Sequence, residues 1–345
     1  MRQIRRFSVL LVLALALVGC GDGGSRTETS AVETLGAALT GAAEASSYRI
    51  EVSTAQTISS SALGIETSTA LDRERPGSVS EVTPDGFHGI VDLVSLLGPV
   101  AEGVGGPLEI EMWGSADRFV FDTTSYERLQ ALNPLGELGP YRPGVFSVDA
   151  GALGAMGNEE VVGALGGGTF DLASLAETLP AALRDVSADE ERPGTYVGTA
   201  SIAAVNTALG TDVEDMARAT SAGMALNLDV DPEALAAVYV DFYESQDVEV
   251  VVTVEAGLLS TLEYEMDIAP LYEFLFADDR ASALFGATPS EARAAREAVA
   301  DTVWTQSLFT RFVADPDLVL PVAPEPTEDR TEEMVEFFEA SGLFD

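Results

Sequence analysis

Hydrophobic and polar residues alternate along several stretches of the chain. In the first of these, Tyr48, Ile50 and Val52 fall on one side of the backbone, and Arg49 and Glu51 fall on the other. A period of two residues is typical of a β-strand with one buried and one solvated face. The same pattern predicts further strands at 108–112, 119–121, 224–230, 248–254 and 262–268.

Two of the connections between these strands are short. Gly114–Asp117 and Glu255–Gly257 have the length of hairpin loops, which join neighbouring antiparallel strands. The strands are therefore expected to form an antiparallel sheet.

Helix signals lie between the strands. Ser30 and Glu33 have capping-box spacing and predict a helix from 30 to about 46. Asp231 and Thr288 each precede a proline at the first position of a predicted helix. A further helical pattern is present near 330–341. Together these elements predict a single α+β domain at 30–345, with one layer of helices on one face of the sheet.

The stretch 89–106 is the most apolar part of this domain. Its first two turns include Leu93, Leu96 and Leu97 and contain little that is polar, which predicts a helix that is apolar nearly all round. Such a helix is either part of the core or the wall of a lipid cavity.

The first twenty residues carry an export pattern. Three arginines precede an apolar run that is too short for the ~20 residues of a membrane-spanning helix, so 1–19 is predicted to be a signal peptide. The sequence Leu17-Val18-Gly19-Cys20 resembles the lipobox of bacterial lipoproteins, which implies that Cys20 becomes the lipidated first residue. The alternative is an ordinary signal peptide with an incidental Cys.

Lipidation of Cys20 would make 20–29 a flexible tether. The domain would then be anchored to the cell membrane on its extracytoplasmic face. A lipobox occurs in bacteria with one membrane and in bacteria with two, so it leaves the type of envelope open.

The composition argues against several kinds of partner and site. The chain has 57 acidic residues against 18 basic ones, all arginine, and a formal net charge of -39. Nucleic acid is an improbable partner, because phosphates are bound by clustered cations. With no Lys, one His and one Cys, the chain has no lysine Schiff base, no disulfide framework and no multi-His or Cys zinc site. We therefore expect no metal and no cofactor.

Signals for catalysis are weak. His88 is the only imidazole, and there is no Gly-x-Ser-x-Gly elbow. The sequence Pro84-Asp85-Gly86 before it predicts that His88 is a solvated loop residue. We expect the protein not to be an enzyme. Arg73 and Arg75 are flanked by acids that would neutralise them, although they could meet a lipid phosphate.

Several segments resemble the LppX/LprG-type lipoproteins of actinobacteria, which have a LolA-like fold. Besides the lipobox, the similar segments are strand patterns at 46–50, 109–113, 118–121, 195–199, 248–258, 262–266 and 318–324. The last of them resembles the closing strand of the family, and 269–302 resembles an enlarged helical insertion.

The resemblance implies a strongly curved antiparallel half-barrel with helices on its concave face, enclosing an apolar cavity. Family members bind or move lipids and glycolipids through the cell envelope. The cavity would be lined by apolar residues of the strands and of the apolar helix, namely Leu93, Leu96, Leu97, Met112, Phe119, Phe121, Leu226, Leu228, Val250, Val252, Leu262, Tyr264 and Met266.

Two hypotheses about function follow. The first is a membrane-anchored lipoprotein that binds an acyl-chain lipid or glycolipid, with transfer of that lipid as an open extension of the hypothesis. The second is a non-catalytic interaction or scaffold lipoprotein that uses the same fold without a cavity. The ligand and any protein partner are not determined by the sequence.

Overall fold

A computed structural model describes residues 30–61, 64–92, 108–115, 117–128, 142–155, 172–218, 221 and 230–341. The described residues from Ala31 onwards belong to one compact unit. Residues 1–29, which include the leader, Cys20 and the whole predicted tether, lie outside the described residues.

Most of the described residues belong to strands and helices. The strands are β1 (Tyr48–Ser60), β2 (Ile65–Thr69), β3 (Ser78–Thr83), β4 (Gly86–Asp92), β5 (Glu109–Gly114), β6 (Arg118–Asp122), β7 (Val145–Asp149), β8 (Arg184–Ala188), β9 (Thr195–Ser201), β10 (Asp247–Glu255), β11 (Leu258–Asp267), β12 (Val303–Ala314) and β13 (Glu328–Asp329). The helices are α1 (Ala31–Ala43), α2 (Ala150–Ala155), α3 (Leu172–Ala182), α4 (Ile202–Ala208), α5 (Pro232–Ser245), α6 (Pro270–Leu275), α7 (Asp278–Phe285), α8 (Pro289–Val299) and α9 (Thr331–Ser341).

All the strands belong to one 13-stranded sheet. Their order is β13-β7-β6-β5-β4-β3-β1-β12-β11-β10-β9-β8, with β2 beside the outer half of β1. Every pairing is antiparallel except that of β13 with β7. The sheet is curved and does not close on itself, so the α+β class and the antiparallel sheet predicted from the sequence are confirmed.

The two predicted hairpins and the caps predicted at Asp231 and Thr288 are present. Ala256 and Gly257 join β10 to β11 and both have positive φ, as a tight hairpin turn requires. The Asp231 side chain accepts a hydrogen bond from the Glu233 N–H at the start of α5. Thr288 caps α8 in a complete capping box. Local side-chain chemistry therefore fixes where these elements begin.

The helix predicted at 89–106 is wrong for its first four residues, 89–92. Residues 86–92 form β4, paired with β3 on one side and β5 on the other. Gly86 begins the strand with φ 157°, and an added Cβ there would lie 2.2 Å from the Gly114 carbonyl oxygen. Because β4 is paired on both edges, strand pairing overrides the helical spacing of its apolar residues. Leu93, Leu96 and Leu97 lie outside the described residues.

The predicted closing strand is also wrong. Residues 318–324 form no strand, and Val319 and Val322 are 84% and 93% exposed. Proline at 321 and 324 lacks the N–H that a ladder needs. The neighbour of β1 is instead β12, which the sequence patterns did not reveal.

Residues 315–327 carry the chain from the centre of the sheet to its edge. The Asp315 N–H donates to the Ser47 carbonyl at 3.1 Å, and the Thr327 N–H donates to the Val145 carbonyl at 2.9 Å. Between these two contacts the segment passes β3, β4, β5 and β6 in the strand order.

A cluster of charged residues fastens the end of this segment to β7. We call Arg142, Glu328, Arg330 and Glu333 the C-terminal clasp. The fully buried Arg330 guanidinium lies 4.2 Å from the Phe146 ring centroid, donates to the Arg142 carbonyl at 2.7 Å and pairs with Glu328. Arg142 bridges Glu328, at 2.9 Å, and Glu333.

Among the described helices, none combines the length and the apolar character needed to cross a bilayer.

The clasp makes stability depend on pH. The hydrogen bond from Arg330 holds the pKa of Glu328 below its usual value, and the hydrogen bond from Arg142 does the same for Glu333. A carboxylate with a lowered folded-state pKa stabilises the fold above its unfolded pKa of about 4.3, and this contribution is lost as the pH falls further. We expect the urea midpoint of wild type to fall more steeply below about pH 5 than that of Glu328→Gln. Parallel pH profiles would contradict the prediction.

Candidate functional site

Cross-strand pairing sorts the strand residues onto two faces of the sheet. Directly paired residues of antiparallel strands project to the same side. Ile50 pairs with Phe312 and with Ser80, Ser80 pairs with Gly89, and Gly89 pairs with Met112. We call the side that bears these residues the helical face, because helices cover part of it, and the other side the outer face.

The helical face is uncharged. At the paired positions of β1, β3–β7 and β9–β12, this face bears no Asp, Glu, Arg or His. The charged residues of the same strands, such as Glu51, Glu81 and Glu263, lie on the outer face. The register thus separates an uncharged face of the sheet from a charged one.

Helices cover the half of the helical face formed by β1 and β9–β12. Leu35 and Leu39 of α1, together with Tyr239 and Phe242 of α5, pack in one cluster with Leu262 of the sheet. Residues of α3, α4 and α6 belong to the same cluster. This half contains the main core of the domain.

A second, smaller cluster covers the half formed by β5–β7. Its centre is aromatic, with the rings of Phe121 and Phe146 stacked 5.0 Å apart and Phe119 beside them. Met334 of α9 is fully buried against this cluster. The Phe87 ring packs against Gly114 and lies 5.9 Å from the Phe119 ring. A Cβ at position 114 would lie 1.9 Å from the Phe87 ring, so a larger residue there would clash with it.

A cross-strand row of half-buried residues links the two clusters. Val52, Ser78, Val91 and Ile110 are partners in register across β1, β3, β4 and β5. Each is neither fully buried nor exposed. We call this row the central strip; at about 4.8 Å per strand it is about 14 Å long. Its three apolar residues are among the helical-face side chains that remain partly accessible.

The predicted cavity residues that the structure describes all lie on the helical face. Each is at most 9% exposed. They divide between the two clusters: Val250, Val252, Leu262, Tyr264 and Met266 are in the main core, and Met112, Phe119 and Phe121 are in the second. Leu226 and Leu228, like the three leucines at 93–97 and Cys20, lie outside the described residues. The sequence did not indicate the accessible positions of the central strip, although alternation places Val52 and Ile110 on the apolar side.

Burial raises the pKa of Tyr264 to about 12, and it also raises the pKa of Tyr239 of α5. Both hydroxyls are neutral at physiological pH, as tyrosine ordinarily is.

The prediction that His88 is a solvated loop residue is wrong. His88 lies in β4 on the outer face with 5% of its surface exposed. Nδ1 is 2.9 Å from a Glu81 carboxylate oxygen, and Nε2 is 2.9 Å from one of Glu111. The Trp113 ring lies 5.3 Å away. Sequence reasoning missed this cluster because the two carboxylates come from different strands, and only the register brings them together.

Arg73 also belongs to the outer face. It forms an ion pair with Glu263, and its guanidinium lies 4.4 Å from the Phe309 ring centroid. Both partners face away from the helices, so the contact with a lipid phosphate considered for Arg73 has no support in this arrangement. Within the described part of the chain, no group of three or more His, Cys, Asp or Glu residues is placed to hold a metal ion.

The sequence matches no protein-family model, and no curated protein matches it.

The His88 cluster is expected to stabilise the centre of the sheet. His88→Ala leaves the carboxylates of Glu81 and Glu111 without the imidazole between them and should lower the free energy of unfolding by about 2 kcal/mol or more. Urea unfolding measures the change. Glu109→Ala, an exposed residue of the outer face, is the control and should change stability by less than about 0.5 kcal/mol. Equal effects of the two variants would contradict a stabilising cluster.

Proposed function

We propose that this protein is a lipoprotein, anchored through acylated Cys20 on the extracytoplasmic face of the cell membrane, that binds an acyl-chain lipid or glycolipid. The ligand would lie on the helical face, in a site like the cavity of the LolA-like half-barrels. The protein would act as a carrier or receptor, without catalysis, metal or cofactor.

One observation carries the proposal: the helical face is free of charge and is incompletely covered along the central strip. A site for an alkyl chain needs mostly apolar walls, and transfer of the chain from water provides roughly 25 cal/mol for each Å² buried. Val52, Val91 and Ile110 supply such walls at accessible positions.

Charge supports a tail-directed mode of binding. A domain with a large acidic excess repels anionic headgroups at a distance. Affinity would therefore come from burial of the acyl tail, with the headgroup left near solvent.

A second candidate is an interaction or scaffold module with a filled core. The observation favouring it is the near-complete burial of the predicted cavity residues within the two clusters. The two candidates differ in lipid uptake, which the following experiment measures.

Lipid binding can be tested with residues 21–345, which retain every described strand and helix. We expect this chain to bind a fluorescent fatty acid and to carry lipid in native mass spectra. Val91→Asn should weaken fatty-acid binding, because an amide in the apolar wall must be desolvated. Ile90→Asn, the adjacent residue on the outer face, is the matched control and should bind as wild type does. A lipid-free chain that takes up no fatty acid would favour the scaffold.

The anchor can be tested in cells. Cys20→Ser removes the thiol that an acyl group requires, so radiolabelled palmitate should no longer be incorporated and the protein should leave the membrane fraction. Ser25→Ala, a nearby change in the tether, should keep both label and membrane association. Equal labelling of Cys20→Ser and wild type would exclude this anchor.

A further inference from the structure

An unpaired hydroxyl lies inside the helical face. Thr310 of β12 is fully buried and pairs in register with Val52 on one side and Leu262 on the other. Its Oγ1 has no hydrogen-bond partner anywhere in the described part of the chain. Thr310 thus lies beside Val52, on the strand next to the β1 end of the central strip, with an apolar residue paired to it on each side.

Such a group needs a physical explanation. A buried hydroxyl without a partner loses its hydration and gains nothing in return, and nearly all buried polar groups in folded proteins are satisfied. Valine has almost the same shape and would avoid this loss. A bound molecule that supplies an oxygen atom would complete the hydrogen bonding of Thr310.

The neighbouring residues give that molecule access. Val52, paired directly with Thr310, is half-buried, as is Leu308, two residues earlier on the same strand and face. The accessible part of the helical face therefore reaches the side chains next to the hydroxyl.

A second unpaired donor lies on the same strand and face. The buried Trp304 Nε1 also has no hydrogen-bond partner among the described residues. The two residues are six positions apart, about 20 Å at the rise of a strand, so each needs its own partner. The indole N–H can only donate and requires an acceptor, and the Thr310 hydroxyl can also donate to one. A hydrocarbon has no acceptor, whereas the carbonyl of an ester or a carboxylic acid has one.

We propose that the Thr310 hydroxyl donates a hydrogen bond to a carbonyl oxygen of a bound acyl lipid and so fixes the position of the acyl chain on the helical face. This inference rests on the proposed lipid-binding function. It adds that the acyl carbonyl, and not only the hydrocarbon tail, is recognised, and that this carbonyl enters the apolar face while the headgroup stays near solvent.

The test uses two probes of equal chain length that differ in the acceptor. Methyl hexadecanoate and hexadecane each compete with a fluorescent fatty acid for residues 21–345. Thr310→Val should weaken the affinity for methyl hexadecanoate about tenfold, the value of one hydrogen bond, and leave the affinity for hexadecane within about twofold of wild type.

Two controls separate recognition from folding. Thr305→Val removes a hydroxyl from the outer face of the same strand and should change neither affinity. The urea midpoint of Thr310→Val should equal or exceed that of wild type, because the variant removes an unsatisfied buried group.

The outcomes distinguish this inference from the function on which it rests. If wild type binds both probes and Thr310→Val changes neither affinity, the hydroxyl is satisfied by water, and the inference fails while lipid binding stands. An equal loss for both probes means that Thr310 only shapes the face, which also overturns the inference. If wild type binds neither probe, the proposed function and the inference both fail.

Discussion

The antiparallel ladder between β1 and β12 joins the first strand of the domain to one of its last, from Tyr48 opposite Ala314 to Ser59 opposite Val303. Side chains alternate along a strand, so a shift of one residue in this ladder would move every side chain of one partner to the opposite face. If β12 were the strand that moved, Phe312 would leave the core and Arg311 would enter it; if β1 moved, Ile50 and Glu51 would exchange faces instead. Since β3 and β11 pair with the outer edges of these two strands, the separation of the two faces across the rest of the sheet depends on this register.

The outer face carries charged contacts, some of which cross between strands. Glu51 lies 2.9 Å from Arg49 of its own strand and 3.7 Å from Arg311 across the ladder. His88 lies between carboxylates of the strands on either side of β4, a contact that depends on the register. Exposed ion pairs contribute little to stability one by one. The same register sets Asp92 opposite Glu109 and Glu111 opposite Asp122, so attraction and repulsion both occur on this face.

The two halves of the helical face are closed by different means. Several helices cover the half around β9–β12, whereas the half around β5–β7 is completed by α9, which the C-terminal clasp holds. Between them the central strip is left half-buried. The central strip thus lies between two covered regions and is itself partly accessible. This arrangement would allow the proposed ligand to bind and to be released. The clasp matters to such a ligand because it holds in place the helix that bounds one end of the strip.

Prediction from the sequence was most successful where the decisive contacts are local. The alternation at Tyr48–Val52, the hairpin at Ala256-Gly257 and the caps at Asp231 and Thr288 each depend on neighbouring residues, so the pattern contains the cause. The same alternation placed the described members of the predicted cavity set on one face. It could not show that these residues would be buried while Val91 remains accessible, because burial depends on which helix lies above each strand.

The errors at His88 and at 86–92 share one cause, which is dependence on distant residues. His88 and its two glutamates are 7 and 23 residues apart in the chain. The segment at 86–92 is a strand because it has a partner on each edge, and β12 lies at the centre of the sheet although its own pattern is irregular. The sequence by itself determined the element types at the strongly patterned segments, the acidic excess and the export and lipobox pattern. Only the tertiary structure decided the strand order, the position of His88 and the unpaired hydroxyl of Thr310, because each depends on residues that the register brings together from far along the chain.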